Sequence, residues 1–258
     1  MTAALAPADT IAGLVKGLAV LESFDTERQR LNATQAAERA RLTRAAARRH
    51  LLTLTALGYL ESKDGHFWLS PRVLRLAGAY LASARLPRVV QPTLNRLAAD
   101  TREVYSAAVL DGDEVVVVAR SAGLAPAPQL LAYGRHLGAR LPAHATSTGR
   151  VLLAALPAAE LSAWLRARRL PRLTPHTRTD SRALRALLHQ VAAQDYCLAS
   201  DEHELGVAAI AVPLRDSQGR TVAAINAVLT PERLARPATQ QQVLAQLRSA
   251  AHELRQLL

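Results

Sequence analysis

The chain has 258 residues, half of them hydrophobic and 21% charged, enough apolar material for two buried cores and against wholesale disorder. A single cysteine, Cys197, excludes an internal disulfide and any multi-cysteine zinc site. No apolar run reaches the roughly 18 residues of a membrane helix, and Met1–Thr10 lacks the basic-then-apolar order of a secretory signal, so a soluble, cytoplasmic protein with no membrane partner is expected. The net charge of +11 points to an anionic partner. With only two lysines among the 32 basic residues and abundant alanine, it also fits a coding bias, so the distribution of charge matters more than its total.

Taken in chain order, Leu14, Val15, Leu18 and Leu21 recur at helical spacing and predict a first helix that fades in the charged stretch Asp25–Arg30. Asn32 is a candidate N-cap for a short second helix, Ala33–Ala40. Arg41-Leu42-Thr43 breaks it, and Thr43 caps a third helix that Gly58 ends at about Leu57. Two helices joined by so short a turn have the dimensions of a helix-turn-helix. In the third helix Ala47, Leu51 and Leu54 share the face that should pack inward. Thr43, Arg44, Ala45, Arg48 and Arg49 occupy the opposite face and its margins. Five arginines and no acid lie between Arg39 and Arg49. Small alanines between arginines let a helix approach a groove floor, where the guanidinium fork can bond guanine edges or clamp phosphates. A solvated basic face is the plainer alternative.

Two short strand-like runs, Tyr59–Ser62 and His66–Leu69, flank Lys63-Asp64-Gly65, and Asp-Gly is a strong hairpin signal. A hairpin directly after the third helix is a wing, with Lys63 and His66 at its tip. Ser70 and Pro71 then cap and open a connecting helix with Val73, Leu74, Ala77 and Leu81 on one side, ending at about Leu86-Pro87. The expected organisation is a winged helix-turn-helix over 1–70, a linker helix over 71–87 and a second domain over 88–258.

In that second domain Val89–Thr101 reads as a helix, and Val104–Asp111 and Glu114–Ser121 read as strands joined at Asp111-Gly112. Gln129–Tyr133 is a candidate strand. Helices are expected over Ser147–Ala155, from Pro157 to about Arg168, over Asp180–Ala193 and over Thr239–Leu258. Tyr196–Ser200, Gly206–Arg215 and Thr221–Thr230 are the remaining strands. Paired strands with helices between and after them indicate an α+β sandwich and not repeated βαβ units.

The sequence carries no phosphate-cradling glycine motif. Ser147 lies in A-T-S-T-G, which lacks the first glycine of a nucleophile elbow, and no carboxylate is evident to orient His144. Asp201-Glu202-His203-Glu204 is the densest set of metal-ligating types. Consecutive residues of an extended chain point in opposite directions, so a solvated acidic turn is expected there, with no metal and no cofactor. A ligand pocket is indicated by the hydroxyl-rich segment Ala143–Gly149 beside a helix start, whose amides can receive a carboxylate. Arg120 and Arg150 can each pair with an anionic ligand or with a structural carboxylate. Asn226 interrupts an apolar strand, and its buried amide must find a partner in backbone or ligand.

These segments together resemble the IclR family of bacterial transcription regulators. The resemblance is carried by G-L-V-K-G-L-A-V-L-E-S-F-D (Gly13–Asp25), T-R-A-A-A-R-R-H-L-L-T-L (Thr43–Leu54), L-G-Y-L (Leu57–Leu60) and L-S-P-R-V-L (Leu69–Leu74). In the second half it is carried by V-L-D-G-D (Val109–Asp113), L-P-A-H-A-T-S-T-G-R-V-L-L-A (Leu141–Ala154), L-T-P-H-T-R-T-D (Leu173–Asp180) and E-L-G-V-A-A-I-A-V-P (Glu204–Pro213). The chain looks most like the branch controlling aromatic catabolism through the β-ketoadipate pathway, the PcaR/PcaU/PobR type.

The resemblance implies a winged helix-turn-helix, a linker helix that helps dimerise and a GAF-like effector domain. It also implies a homodimer or tetramer on double-stranded operator DNA, a small organic acid as effector, and RNA polymerase as a possible partner. It places Thr43, Arg44, Arg48 and Arg49 on the recognition helix and Ser147 and Thr148 beside the effector pocket. Val207, Ala209, Asn226 and Val228 match pocket-lining strand positions, and Asp201 and Glu202 match the pocket's acidic edge. Val207-Ala208-Ala209 stands where this branch usually carries Leu-Arg-Ser. The change is expected to remove a charge and a hydroxyl near the pocket, and so to bear on the acid accepted or on whether one is still bound. His50 stands where an aromatic residue is common. The rival class is an enzyme that transforms the ligand of its C-terminal domain.

Overall fold

The computed structural model describes residues 9–25, 28–121 and 136–258, which divide into two compact units between Ala82 and Ser83. The N-terminal unit runs α1 (Ala12–Leu21), β1 (Leu31–Asn32), α2 (Ala33–Ala40), α3 (Arg44–Ala56), β2 (Leu60–Lys63) and β3 (His66–Leu69). Local chemistry sets these boundaries. The Asn32 side chain accepts the Thr34 and Gln35 N–H groups at 3.0 Å, and Gln35 Oε1 accepts the Asn32 N–H at 2.9 Å, a reciprocal cap that starts α2. Arg41, at φ 53°, stops it, and Thr43 Oγ1 accepts the Ala46 N–H at 3.2 Å to start α3. Asp64 and Gly65 have φ of 52° and 74°, the twist of a type I′ turn, which sets Lys63 opposite His66. Val20, Phe24, Leu31, Ala36, Leu51, Leu60 and Phe67 form the core. The two-residue β1, which pairs with β3 on the edge away from β2, is too short to show alternation in sequence.

One expectation is corrected in this unit, the extent of the connecting helix. In α1 Val20 is buried and Leu21 packs on the core, as does Phe24 just after the helix, whereas Leu14, Val15 and Leu18 stay about half exposed. The connecting helix begins as a 3₁₀ turn (Pro71–Val73) capped by Ser70 and continues as α4 (Leu74–Ser83), in which no residue is buried. It stops at Ser83, and Pro87 lies inside the first turn of the next helix, where its missing N–H removes no bond.

The C-terminal unit runs α5 (Arg85–Thr101), β4 (Val104–Asp111), β5 (Glu114–Arg120), β6 (Arg140–Pro142), α6 (Ser147–Ala154), α7 (Ala158–Ala167), α8 (Ser181–Gln194), β7 (Cys197–Ser200), β8 (Ala208–Arg215), β9 (Thr221–Leu229), α9 (Pro231–Leu234) and α10 (Pro237–Arg255). Its strands form one antiparallel sheet in the order β6-β5-β4-β9-β8-β7. The candidate strand Gln129–Tyr133 lies outside the described residues. Alternation along the strands sends Tyr105, Ala107, Ala208, Ile210, Val212, Ile225 and Ala227 to one face, packed with α5 and α10. Val104, Ala108, Ala209, Ala211, Ala224 and Val228 go to the other, under α6, α7 and α8. The architecture is α+β, a winged helix followed by a sheet with helices on both faces. No helix among the described residues is long and apolar enough to cross a membrane.

Helix α6 lies close on the 3₁₀ turn Ala143–Ala145 that precedes it. A Cβ on Gly149 would come within 2.3 Å of the Ala143 backbone, so glycine is required for this approach. Gly149→Ala is expected to destabilise the C-terminal unit by about 1–3 kcal/mol or more, read as a lower urea midpoint.

Candidate functional site

In the N-terminal unit Thr43, Arg44, Ala45, Arg48 and Arg49 are all exposed along the first two turns of α3, and Lys63 is exposed at the hairpin tip. Ala47 and Leu51 are fully buried on the inward face. Arg44 and Arg48, and Ala45 and Arg49, are each four residues apart, so they form two adjacent rows on the outward surface. None of Arg41, Arg44, Arg48 and Arg49 makes an ion pair or side-chain hydrogen bond among the described residues. Arg39 departs from the arginine run: it pairs with Asp25 and donates from Nε to the Ser23 carbonyl at 2.6 Å. It braces α2 against the preceding segment, unlike the other arginines of the run. Leu52, 43% exposed, lies one further turn along the strip, an apolar contact of the sort a thymine methyl takes, and helical spacing alone does not single it out.

In the C-terminal unit the strand register gathers the candidate residues on one sheet face. Arg120, Ser106, Asn226, Ala211 and Cys197 are successive cross-strand partners in one row, and Val104, Val228, Ala209 and Ala199 form the next. Asn226 is buried, and its Oδ1 accepts the Ser106 hydroxyl at 2.6 Å, so its partner is a neighbouring side chain. Ser147 and Thr148 open α6 on the same face and are buried. Ser147 Oγ is fully buried with no hydrogen-bond partner among the described residues, which is costly for a hydroxyl. His144 Nε2 is instead bonded to the Pro171 carbonyl at 3.0 Å, so His144 and Ser147 form no nucleophile–base pair. Burial pushes the Cys197 thiol up to about 11, which keeps it protonated and inert.

Beside these residues lies a small cavity lined by Ala145, Ala199, Glu202, His203, Val207 and Ala209. Its volume is only about 10 Å³, room for at most one water. Asp201 does not line it. One Asp201 carboxylate oxygen accepts the Gly206 N–H at 2.7 Å and the other the Ser200 hydroxyl at 2.9 Å, closing the 201–206 loop. Nor is this segment a solvated acidic turn, because Glu202 is buried. The Glu202 carboxylate takes both arms of the fully buried Arg150 fork at 2.6 and 2.5 Å and the Arg178 N–H at 3.0 Å. Arg150 Nε donates to the His144 carbonyl at 2.8 Å. Thr174 and Thr177 donate to the Asp201 and Glu202 carbonyls, each at 2.6 Å, and Asp180 caps α8, so the Leu173–Asp180 segment is the cradle of this loop. Among the described residues no three His, Cys, Asp or Glu side chains gather as metal ligands.

The departure at Val207-Ala208-Ala209 reads differently in three dimensions. Ala208 faces α10, away from the cavity, and Ala209 faces into it. An arginine at 208 would point away from the ligand side, so its absence takes no charge from the pocket. The loss that reaches the cavity is the hydroxyl at Ala209.

An exposed arginine helix with a wing, and a separate domain holding a small cavity of mixed polar and apolar lining, define a ligand-responsive DNA-binding regulator. Residues 13–64 match the IclR helix-turn-helix domain and residues 78–256 the C-terminal domain of the bacterial transcriptional regulator IclR. The chain belongs to the IclR family of transcription regulators. It is 50% identical over 255 residues to the p-hydroxybenzoate hydroxylase transcriptional activator of Acinetobacter baylyi, covering 97% of this chain and 93% of that one. It is 48% identical over 250 residues to the Pca operon regulatory protein of the same organism, covering 97% and 90%. Among solved structures it is similar to a double mutant of the PobR inducer-binding domain from Acinetobacter in complex with 3-hydroxybenzoic acid. That match has 47% identity and a TM-score of 0.61 over 67% of this chain and 98% of that one.

Breaking the Arg150–Glu202 pair from one side leaves an uncompensated buried charge. Arg150→Met or Glu202→Met is each expected to cost about 3–5 kcal/mol, and the double replacement R150M/E202M less than their sum, read in a urea double-mutant cycle. Burial also lowers the His144 and His203 imidazoles from their ordinary 6.5; the Pro171 carbonyl opposes this at His144, and each sits near another cationic or ionisable group. The unfolded chain therefore binds protons that the folded chain refuses, so stability is full above pH 6.5 and falls as the pH drops through that value. A urea midpoint that declines from pH 7 to 5, with a smaller decline in His144→Asn and His203→Asn, is the expected result.

Proposed function

We propose that this regulator controls genes for the catabolism of aromatic carboxylic acids and that its effector is a small acid of the hydroxybenzoate type. The observation that carries this reading is the buried Ser147 hydroxyl, unpartnered among the described residues and two residues along the chain from Ala145, which with Ala199, Val207, Ala209, Glu202 and His203 lines the cavity. Small apolar side chains suit the flat face of a ring, and one hydroxyl that lacks a partner suits a polar substituent. The names and ligand of the similar proteins point the same way.

A benzoate does not fit a cavity of about 10 Å³, so binding selects a conformation in which the 201–206 loop and its Glu202–Arg150 latch have shifted. Thr148, Val228, Asn226 and Arg120 complete the proposed site, with Asp201 holding the loop rather than touching the ligand. The ligand is bound and not transformed. On the DNA side, Thr43, Arg44, Ala45, Arg48 and Arg49 enter the major groove of a duplex operator and Lys63 reaches the flanking backbone. RNA polymerase at the promoter is the machinery regulated.

The working unit is a homodimer, alone or paired into a tetramer. Ile11, Leu14, Val15 and Leu18 on α1 and Leu74, Leu76 and Tyr80 on and beside α4 are exposed. Leu14, Leu18, Leu54, Leu57 and Leu76 also line an apolar groove of about 340 Å³, a surface of the sort covered by a second copy.

Arg48→Ala and Arg49→Ala are each expected to weaken binding to the operator-bearing promoter fragment about tenfold or more, the loss of roughly 1–3 kcal/mol for a base-contacting arginine, without lowering the melting temperature. Unchanged affinity in both would remove α3 from the reading face. Ser147→Ala should leave DNA affinity intact but change the thermal stabilisation given by 4-hydroxybenzoate or 3-hydroxybenzoate. An identical stabilisation curve in wild type and variant would place the ligand elsewhere.

A further inference from the structure

The excess positive charge is not where a DNA-binding head would put it. Residues 1–82 carry eleven basic against seven acidic residues, whereas 166–185 alone carry seven arginines against one acid, Asp180. That single twenty-residue segment therefore accounts for a net of +6 in a chain of +11. A uniform coding bias toward arginine would spread such an excess along the chain.

In the fold these residues collect at one end of a helix pair. Arg166 is in the last turn of α7, Arg168, Arg169, Arg172 and Arg178 lie in the connection, and Arg182 and Arg185 are in the first turns of α8. Arg185 Nη1 donates to Ser162 Oγ at 3.1 Å, tying the start of α8 to the middle of α7. Four of the seven have local partners: Arg168 is 3.5 Å from Asp113, Arg172 folds onto Pro175 and Thr179, Arg178 is 3.8 Å from Glu202, and Arg185 holds Ser162. Arg166, Arg169 and Arg182 are exposed with no ion pair or hydrogen bond among the described residues. The one acid, Asp180, is engaged by the Ala183 N–H at 2.7 Å as the cap of α8.

We infer that this end of the α7–α8 pair is a second nucleic-acid-contacting surface, on the effector domain, that binds the phosphate backbone of duplex DNA without reading sequence. Arginine is the side chain suited to phosphate, through a planar fork of five donors, and three such forks have no partner among the described residues. An acidic protein surface is the rival partner. Protein interfaces take their affinity from buried aromatic and aliphatic anchors. Over 166–185 no aromatic side chain other than His176 is exposed, and Leu173 is the one large apolar residue on the surface. Such a surface lengthens the footprint on DNA and makes affinity steeply dependent on salt, while the choice of operator stays with α3.

The test uses the full chain and a fluorescently labelled mixed-sequence 40-bp duplex, with binding followed by anisotropy across a potassium chloride series. The variant R166A/R169A/R182A is compared with R102A/R236A/R255A, which removes the same charge from exposed arginines elsewhere on the same domain. The expected result is an affinity at least about tenfold below that of the control variant, with a plot of log K against log salt shallower by about 2–3, one phosphate contact per arginine. Melting temperatures and stabilisation by 4-hydroxybenzoate should match wild type in both variants. Equal affinities and slopes in the two variants overturn the proposal. If they are equal and the first variant alone loses regulated transcription from its promoter, the partner is an acidic protein surface. If nothing changes, the strip is a solvated face.

Discussion

A guanidinium with no exposure to solvent is the constraint around which the C-terminal domain is arranged. Removing Arg150 from water is tolerable only because every arm of its fork is met, two by Glu202 and one by the His144 carbonyl. Those bonds fix the turn before α6 against the helix itself and join both to the 201–206 loop, 52 residues away. Thr174, Thr177 and the Arg178 N–H then fasten a fourth segment to the same carboxylate and its neighbouring carbonyls. The cavity is bounded by residues on either side of this latch, Ala145 on one and His203 and Val207 on the other. A ligand that enlarges the cavity has to move groups held by charge-assisted bonds in a dry interior, where intermediate positions are costly. That favours two discrete arrangements over gradual deformation, which is what a switch needs.

The sheet separates support from sensing by alternation alone. One face of β8 and β9 packs on α5 and α10, and the residues between them look toward α6 and the cavity. Ala208 and Ala209 are neighbours in sequence but belong to opposite faces, so they act on different properties, one on packing under α10 and one on the cavity wall. The same separation explains how Asn226 and Ser106, directly opposed on β9 and β4, hold a polar pair within an otherwise apolar sheet: each supplies the other's hydrogen bond. The N-terminal head is built differently, with its inward and outward faces assigned by helical spacing on α3 and the wing set by a two-residue turn.

Elements governed by local chemistry are legible in the amino-acid sequence. Asn32 and Thr43 caps, the Asp64-Gly65 turn and the strand pairs β4–β5 and β8–β9 fall within a residue or two of where side-chain chemistry places them. Elements governed by distant partners are not. β6 is three residues long and exists because β5 offers it an edge, and β1 exists because of β3. Arg39 looks like part of a basic run and is a brace, because Asp25 and the Ser23 carbonyl lie against it. Glu202 looks like one acid among several in a polar turn and is the counterion of a buried arginine 52 residues away.

By itself, then, the sequence determined the order of the two domains, the helix starts and turns, the arginine face of α3 and the family, because each is written in neighbouring residues or in ordered motifs. Only the tertiary structure decided which apolar residues are core and which are surface, as on α1 and α4, and which charged side chains are structural. It alone showed that Ala208 turns from the cavity, that Ser147 is buried without a partner among the described residues and that the cavity is small. These properties depend on what is packed opposite a residue, and that partner comes from a part of the chain that local periodicity and spacing do not reach.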